Sequence, residues 1–144
     1  MANALYAPGR EGFLAAEEDW DGAVFKAALT RSGSFTSSHK FVSDFTGAGG
    51  SLVATSSAFT SKTVTNGTAD AADVTFTAVA SGAALTAIII FQSSAVTGGA
   101  DVAASAQRLI CWIDTLSSGA MSITPNGGDI TVQWDNGTNK IFTL

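Results

Sequence analysis

Short runs rich in Val, Ile, Thr and Phe, bounded by Gly, Asn, Asp and Ser, recur along the whole chain, and this punctuation predicts β-strands. Residues 23–30 (AVFKAALT) read as a strand with Val24, Lys26 and Ala28 on one face and Phe25, Ala27 and Leu29 on the other. Residues 74–80 (VTFTAVA) alternate, with Val74, Phe76 and Ala78 on one side. Residues 85–92 (LTAIIIFQ) and 107–115 (QRLICWIDT) are apolar on both faces, the pattern of central, buried strands. In the second of these, strict alternation puts Leu109, Cys111 and Ile113 on one side and Ile110 and Trp112 on the other. The Ser/Thr/Val/Ala stretch 51–65 reads as one long strand or as two with a break near Ser56-Ser57. Residues 12–17 are a further candidate to open the sheet. Residues 97–105 (TGGADVAAS) read as an exposed loop.

Turn chemistry adds a hairpin at the C-terminus. Residues 129–135 (DITVQWD), Asn136-Gly137 and residues 138–144 (TNKIFTL) match strand, type I′ turn and strand, because Asn-Gly accepts the positive φ that both central positions need. That register gathers Ile130, Val132, Trp134 and Ile141 on one face. Asn66-Gly67 marks a second turn, and residues 37–45 (SSHKFVSDF) are the best candidate for a short helix, with Phe41, Val42 and Phe45 at helical spacing. The expected architecture is all-β: one antiparallel β-sandwich over residues 1–144, jelly-roll-like or Ig-like, with at most one short helix and with residues 1–13 as an N-terminal arm. Its expected core holds Phe25, Leu29, Val74, Phe76, Ile88, Ile90, Leu109, Cys111, Ile113, Ile130, Val132 and Trp134.

Composition narrows the function classes. Across 144 residues, 46% are hydrophobic and only 13% charged, with 15 Gly and a net charge of −5. So apolar a chain can build a core and is not of the disordered class. Seven scattered Lys and Arg on an acidic protein argue against a grip on nucleic-acid phosphates. No apolar run approaches the length of a membrane span, and the stretch MANALYAPGREGF lacks the basic and apolar blocks of a secretory signal. One Cys and one His leave little for disulfide, zinc or acid–base chemistry. No enzyme, cofactor, catalytic residue or metal site is expected.

Each candidate motif has a plain structural reading. Glu17, Glu18, Asp19 and Asp21 supply oxygen ligands but lack the glycine and distal Glu of an EF-hand loop, so a solvated turn is expected. Gly47-Ala48-Gly49-Gly50-Ser51 lacks the Lys-Ser/Thr of a phosphate loop and reads as a flexible turn. His39 has no neighbouring nucleophile, and Cys111 sits in the most apolar strand, where a buried, inert thiol is expected. Two Asn-Gly-Thr triplets, at 66–68 and 136–138, match a glycosylation acceptor but are explained as turns. Trp112 and Trp134 belong to the core on this reading, and Trp20, after the acidic turn, is the exposed aromatic to test for sugar contact.

Residues 4–20 (ALYAPGREGFLAAEEDW), 62–78 (KTVTNGTADAADVTFTA), 110–115 (ICWIDT) and 123–144 (ITPNGGDITVQWDNGTNKIFTL) together resemble a family of small tailed-bacteriophage virion proteins. The Asp-Asn-Gly segment before a Phe-containing C-terminus is the most distinctive part. The resemblance carries no catalytic residue. It implies a structural protein synthesised in the host bacterial cytoplasm and placed on the outer capsid surface. The role expected first is capsid decoration, or cement, bridging capsomers as a trimer, with the major capsid protein and its own copies as partners and neither nucleic acid nor membrane. A head–tail joining or tail component is the alternative, and a glycan- or receptor-binding module on the virion the third.

Overall fold

The computed structural model describes residues 3–144; Met1 and Ala2, the first residues of the expected arm, lie outside the described residues. The elements are β1 (Ala4–Leu5), α1 (Ala7–Leu14), β2 (Val24–Ser32), α2 (Val42–Gly47), β3 (Ser51–Thr55), β4 (Thr63–Thr65), β5 (Thr68–Asp70), β6 (Val74–Phe76), β7 (Ala87–Ser94), β8 (Arg108–Ile113), β9 (Thr115–Leu116), β10 (Gly119–Ala120), β11 (Ile130–Val132) and β12 (Phe142–Thr143). The chain is all-β with little helix, and all its strand pairings are antiparallel. One five-stranded sheet, in the order β1-β8-β7-β2-β3, forms the centre. Three short ladders, β10-β9, β11-β6 and β12-β5-β4, accompany it.

The double-sided apolar strands explain this arrangement. All eight residues of β7 are buried, because the sheet has a core on each side. On the inner side, under the short ladders, Phe25, Ala27, Leu29, Ile88, Ile90, Cys111 and Ile113 pack with Trp20, Phe76, Trp134 and Phe142. On the other side Ala28, Ile89, Phe91, Leu109 and Trp112 pack with Tyr6, Val42 and Phe45. The two faces expected for residues 23–30 are therefore the two observed.

In β8 the expected alternation fails at one point. Ile90 pairs with Cys111 but Phe91 pairs with Leu109, so Ile110 is an extra residue. This bulge sends Leu109 to the outer core and Ile110 to the inner one, the reverse of their expected faces. Of the expected core, Ile130 and Val132 are only half-buried; Ala78, expected on the side of Val74 and Phe76, has φ 48° and is exposed, and Val79 is buried instead.

The β8 edge of the sheet has an identifiable cover. Ala4 and Leu5 pair with Trp112 and Cys111, the Tyr6 amide donates to the Ile110 carbonyl, and α1 then lies against β8. Residues 40–42 finish the same edge: the Leu109 amide donates to the Lys40 carbonyl, and the Val42 amide to the Gln107 carbonyl. Residues 4–14 thus pack on their own chain's sheet. Residues 12–17, read as an opening strand, are instead the end of α1 and the turn after it. Helix α1 makes a second helix where at most one was expected. Pro8 stands at its start, where the missing N–H costs nothing. Gly9 is needed because a Cβ there would stand 2.7 Å from the Leu109 carbonyl oxygen.

The second helix begins later than expected, at Val42. The Asp44 carboxylate accepts from the Lys40 and Phe41 amides at 2.8 and 2.9 Å, holding the first turn shut. The stretch 51–65 holds two strands, β3 and β4. The Asn66-Gly67 turn has φ 52° and 78° and joins β4 to β5 as a hairpin with Thr65 opposite Thr68.

The C-terminal hairpin is absent. β11 pairs with β6 (Ile130 opposite Phe76), and β12 pairs with β5 (Phe142 opposite Ala69). Asn136-Gly137 lacks the type I′ geometry because Asp135 controls it: its carboxylate accepts from the Gly137 amide at 2.9 Å and the Asn139 amide at 3.2 Å. The positive φ appears at Lys140 instead.

Candidate functional site

The acidic turn is where α1, β2 and β8 meet. Glu17 and Glu18 flank one guanidinium: Arg108 Nη2 lies 2.5 Å from Glu17 Oε2 and Arg108 Nε 3.1 Å from Glu18 Oε1. Glu17 is exposed, whereas the Glu18 side chain is fully buried. Burial raises the Glu18 carboxyl to about 7; Arg108 and Lys40 oppose this rise, and Glu17 adds to it. Gly12 makes the space, since a Cβ there would stand 2.5 Å from Glu18 Cγ. Asp19 is spent on the turn itself, accepting from the Asp21 amide at 3.2 Å. The expected solvated turn is thus half correct: Glu18 ties the turn to β8. Among the described residues no group of acidic, His or Cys side chains is arranged to hold a metal ion.

Trp20, expected as the exposed aromatic, is buried. Its ring packs on Phe25 at 4.7 Å and edge-on against Phe142 at 5.3 Å, and its Nε1 donates to the Asp70 carbonyl at 3.2 Å. An apolar neighbour on each side outweighs the acidic residues around it in sequence. Trp134 donates to the Ala72 carbonyl at 3.1 Å and Trp112 to Asp114 at 3.1 Å, so all three indoles are core residues with satisfied N–H groups.

The remaining motifs keep their plain readings. Cys111 is buried, and burial pushes its thiol up to about 12. His39 is half-buried in the connection before α2. The 47–50 glycine run ends α2, and its last member lies under the Phe45 ring, within 2.3 Å of where a Cβ would be.

Sequence reasoning missed a sizeable concavity. A cleft of about 1020 Å³ opens between the β9–β10 hairpin, β11 and the C-terminal segment. Leu29, Ile88 and Ile113 of the central sheet reach its base, and Leu116, Val132 and Trp134 line its sides. Its two charged side chains are already engaged: Asp135 accepts from the Gly137 and Asn139 amides, and Lys140 Nζ lies 3.2 Å from Asp70. The rest of the polar lining is hydroxyl and amide, including Asn3, Gln133, Asn136 and Asn139. These residues come from five separate stretches of chain, so no local pattern announces them.

No protein-family model, curated protein or solved structure matches this chain.

Proposed function

We propose that this protein is a structural subunit of a tailed-bacteriophage particle, a decoration protein that binds the outer head shell and bridges capsomers as a symmetric oligomer. The observation that carries the reading is where the charge sits. In a chain with only 13% charged residues, Arg108, Lys26 and Lys140 are each engaged in an ion pair with Glu17 and Glu18, Asp101 or Asp70. The exposed strand β4 carries only Thr and Val, and Leu14, Val64, Val96 and Leu144 are more than half exposed. Low charge with exposed apolar side chains suits lasting contacts, because stable interfaces are depleted in charge. A two-sided core in so short a chain suits a rigid building block.

The resemblance of residues 4–20, 62–78, 110–115 and 123–144 to virion proteins supplies the context. Burial of all three tryptophans removes the aromatic platform that a glycan-binding module on this surface requires. Purified protein is expected to bind expanded heads, and a reconstruction of the intact particle to place it on the shell in hundreds of copies. Copies confined to a neck or tail, in multiples of six or twelve, would replace this reading with a joining or tail role.

A further inference from the structure

The triplet Asn-Gly-Thr occurs at 66–68 and again at 136–138, and the fold holds the two copies differently. Both asparagines and both glycines are exposed. The peptide group joining Asn136 to Gly137 is held at each end: its carbonyl accepts from Lys140 Nζ at 3.3 Å, and its N–H donates to Asp135 Oδ1 at 2.9 Å. A Cβ at Gly137 would stand 3.1 Å from that same carboxylate. The peptide group joining Asn66 to Gly67 has neither end bonded to a group among the described residues. A Cβ at Gly67 would meet nothing within 4 Å.

We propose that Asn66 is a site of spontaneous modification, converting through a cyclic succinimide to aspartate and isoaspartate, while Asp135 and Lys140 protect Asn136. The Gly67 nitrogen gives its proton to solvent base and attacks Cγ of Asn66. A bond forms between the two, the bond from Cγ to the side-chain nitrogen breaks, and that nitrogen leaves as ammonia. Water then adds to either ring carbonyl. Opening at Cγ gives aspartate; opening at the former backbone carbonyl gives isoaspartate, whose main chain runs through Cβ and Cγ. Nothing is oxidised or reduced, and water is the one co-reactant. Attack requires the peptide group to turn and aim its nitrogen at Cγ. Glycine permits this because no Cβ obstructs the turn, and at 66–67 no hydrogen bond has to break first. At 136–137 both bonds have to break, and the adjacent carboxylate opposes loss of the amide proton.

The position gives the reaction a structural consequence. Asn66 and Gly67, with φ 52° and 78°, are the two central residues of the β4–β5 turn. The Gly67 carbonyl accepts from the Leu144 amide at 3.1 Å, and Thr68 Oγ1 lies 2.8 Å from Thr143 Oγ1. An added main-chain carbon between residues 66 and 67 breaks the two-residue turn and loosens β12 from β5.

The chemistry belongs to the chain alone, so it stands or falls apart from the virion role. The isolated full-length protein is incubated in mildly alkaline buffer, and both sites are followed by peptide mass spectrometry with electron-transfer fragmentation to identify isoaspartate. Product is expected at Asn66 about tenfold faster than at Asn136, the scale of breaking a hydrogen bond to a carboxylate. Asp135→Ala is expected to raise the Asn136 rate toward that of Asn66, and in denaturant the two sites of the unaltered chain are expected to react alike. In the isoaspartate fraction, amide exchange at residues 142–144 is expected to speed up, whereas Asn66→Asp, which adds the charge without the extra carbon, leaves it unchanged. No product at Asn66, equal or faster reaction at Asn136 in the folded chain, a difference that persists in denaturant, or no response of Asn136 to Asp135→Ala would each overturn the proposal. Unchanged exchange at 142–144 in the isoaspartate fraction would overturn the link to β12.

Discussion

Glu18 is the residue whose chemistry reaches furthest. Its carboxyl is buried against Arg108, with Glu17 and Lys40 as the other charges acting on it, and its folded value of about 7 lies above the ordinary 4.5. The folded state thus holds a proton that the unfolded state has already released between those values. Stability from this group is complete below about pH 4.5 and is lost as pH rises toward 7. Glu18→Gln is expected to remove that component, so that thermal melts across this window show a flatter pH dependence; an unchanged slope would refute the assignment. Cys111 gives a simpler outcome. With its thiol pushed up to about 12 by burial, the native protein is expected to resist an aromatic disulfide reagent until denaturant opens the sheet. At Gly9 the neighbour is backbone, which cannot yield as a side chain can. Gly9→Ala is expected to lower unfolding free energy by about 1 kcal/mol, the overpacking cost exceeding the helix preference of alanine, as read from chemical denaturation.

At the scale of elements, what could be read from the chain follows what made each element form. The central strands were legible because burial on both faces needs apolar residues at consecutive positions, as in Ile88, Ile89 and Ile90. The C-terminal hairpin was not, although its letters fit, because the Asp135 carboxylate captures the amides that an Asn-Gly turn would arrange. The same dipeptide at Asn66-Gly67, after a threonine rather than an aspartate, adopts the hairpin turn. Helix α1 was hidden behind Pro8 and Gly9, which read as breakers but serve a helix start and a close approach. The bulge at Ile110 left no mark at all, since both of the faces it exchanges are apolar. Asp44 is the device that sets where α2 begins, and Asp44→Ala is expected to cost about 1 kcal/mol by urea denaturation, with the loss confined to pH values where the carboxylate is ionised. Hydrogen bonds from the Phe41 and Lys40 amides hold that carboxyl below its ordinary value, so its contribution is lost only as pH falls through the acid range.

For the whole molecule, edges decide behaviour. The outer edge of β8 is covered by residues 4–6, by α1 and by residues 40–42. Deleting residues 1–6 uncovers the backbone of Ile110 to Trp112 and removes the Tyr6 ring from the outer core. Static light scattering is expected to show association of this variant at concentrations where the full chain gives a constant mass. The cleft was illegible for a related reason: Leu29, Ile88, Ile113, Leu116 and Trp134 meet only after the sheet and its covering ladders have assembled.

The pairing of β1 with β8 also sets a timetable. Ala4 waits for Trp112, and β2 for β7 some sixty positions later. On the ribosome β1 and β2 emerge before the strands that flank them, and the central sheet closes only after β8 has been made. Such long-range closure is slow compared with helix or hairpin formation. Until then β2 can pair only with β3, so its other edge stays open while some sixty further residues are made, and the yield in a cell is governed by what shields that edge before β7 arrives.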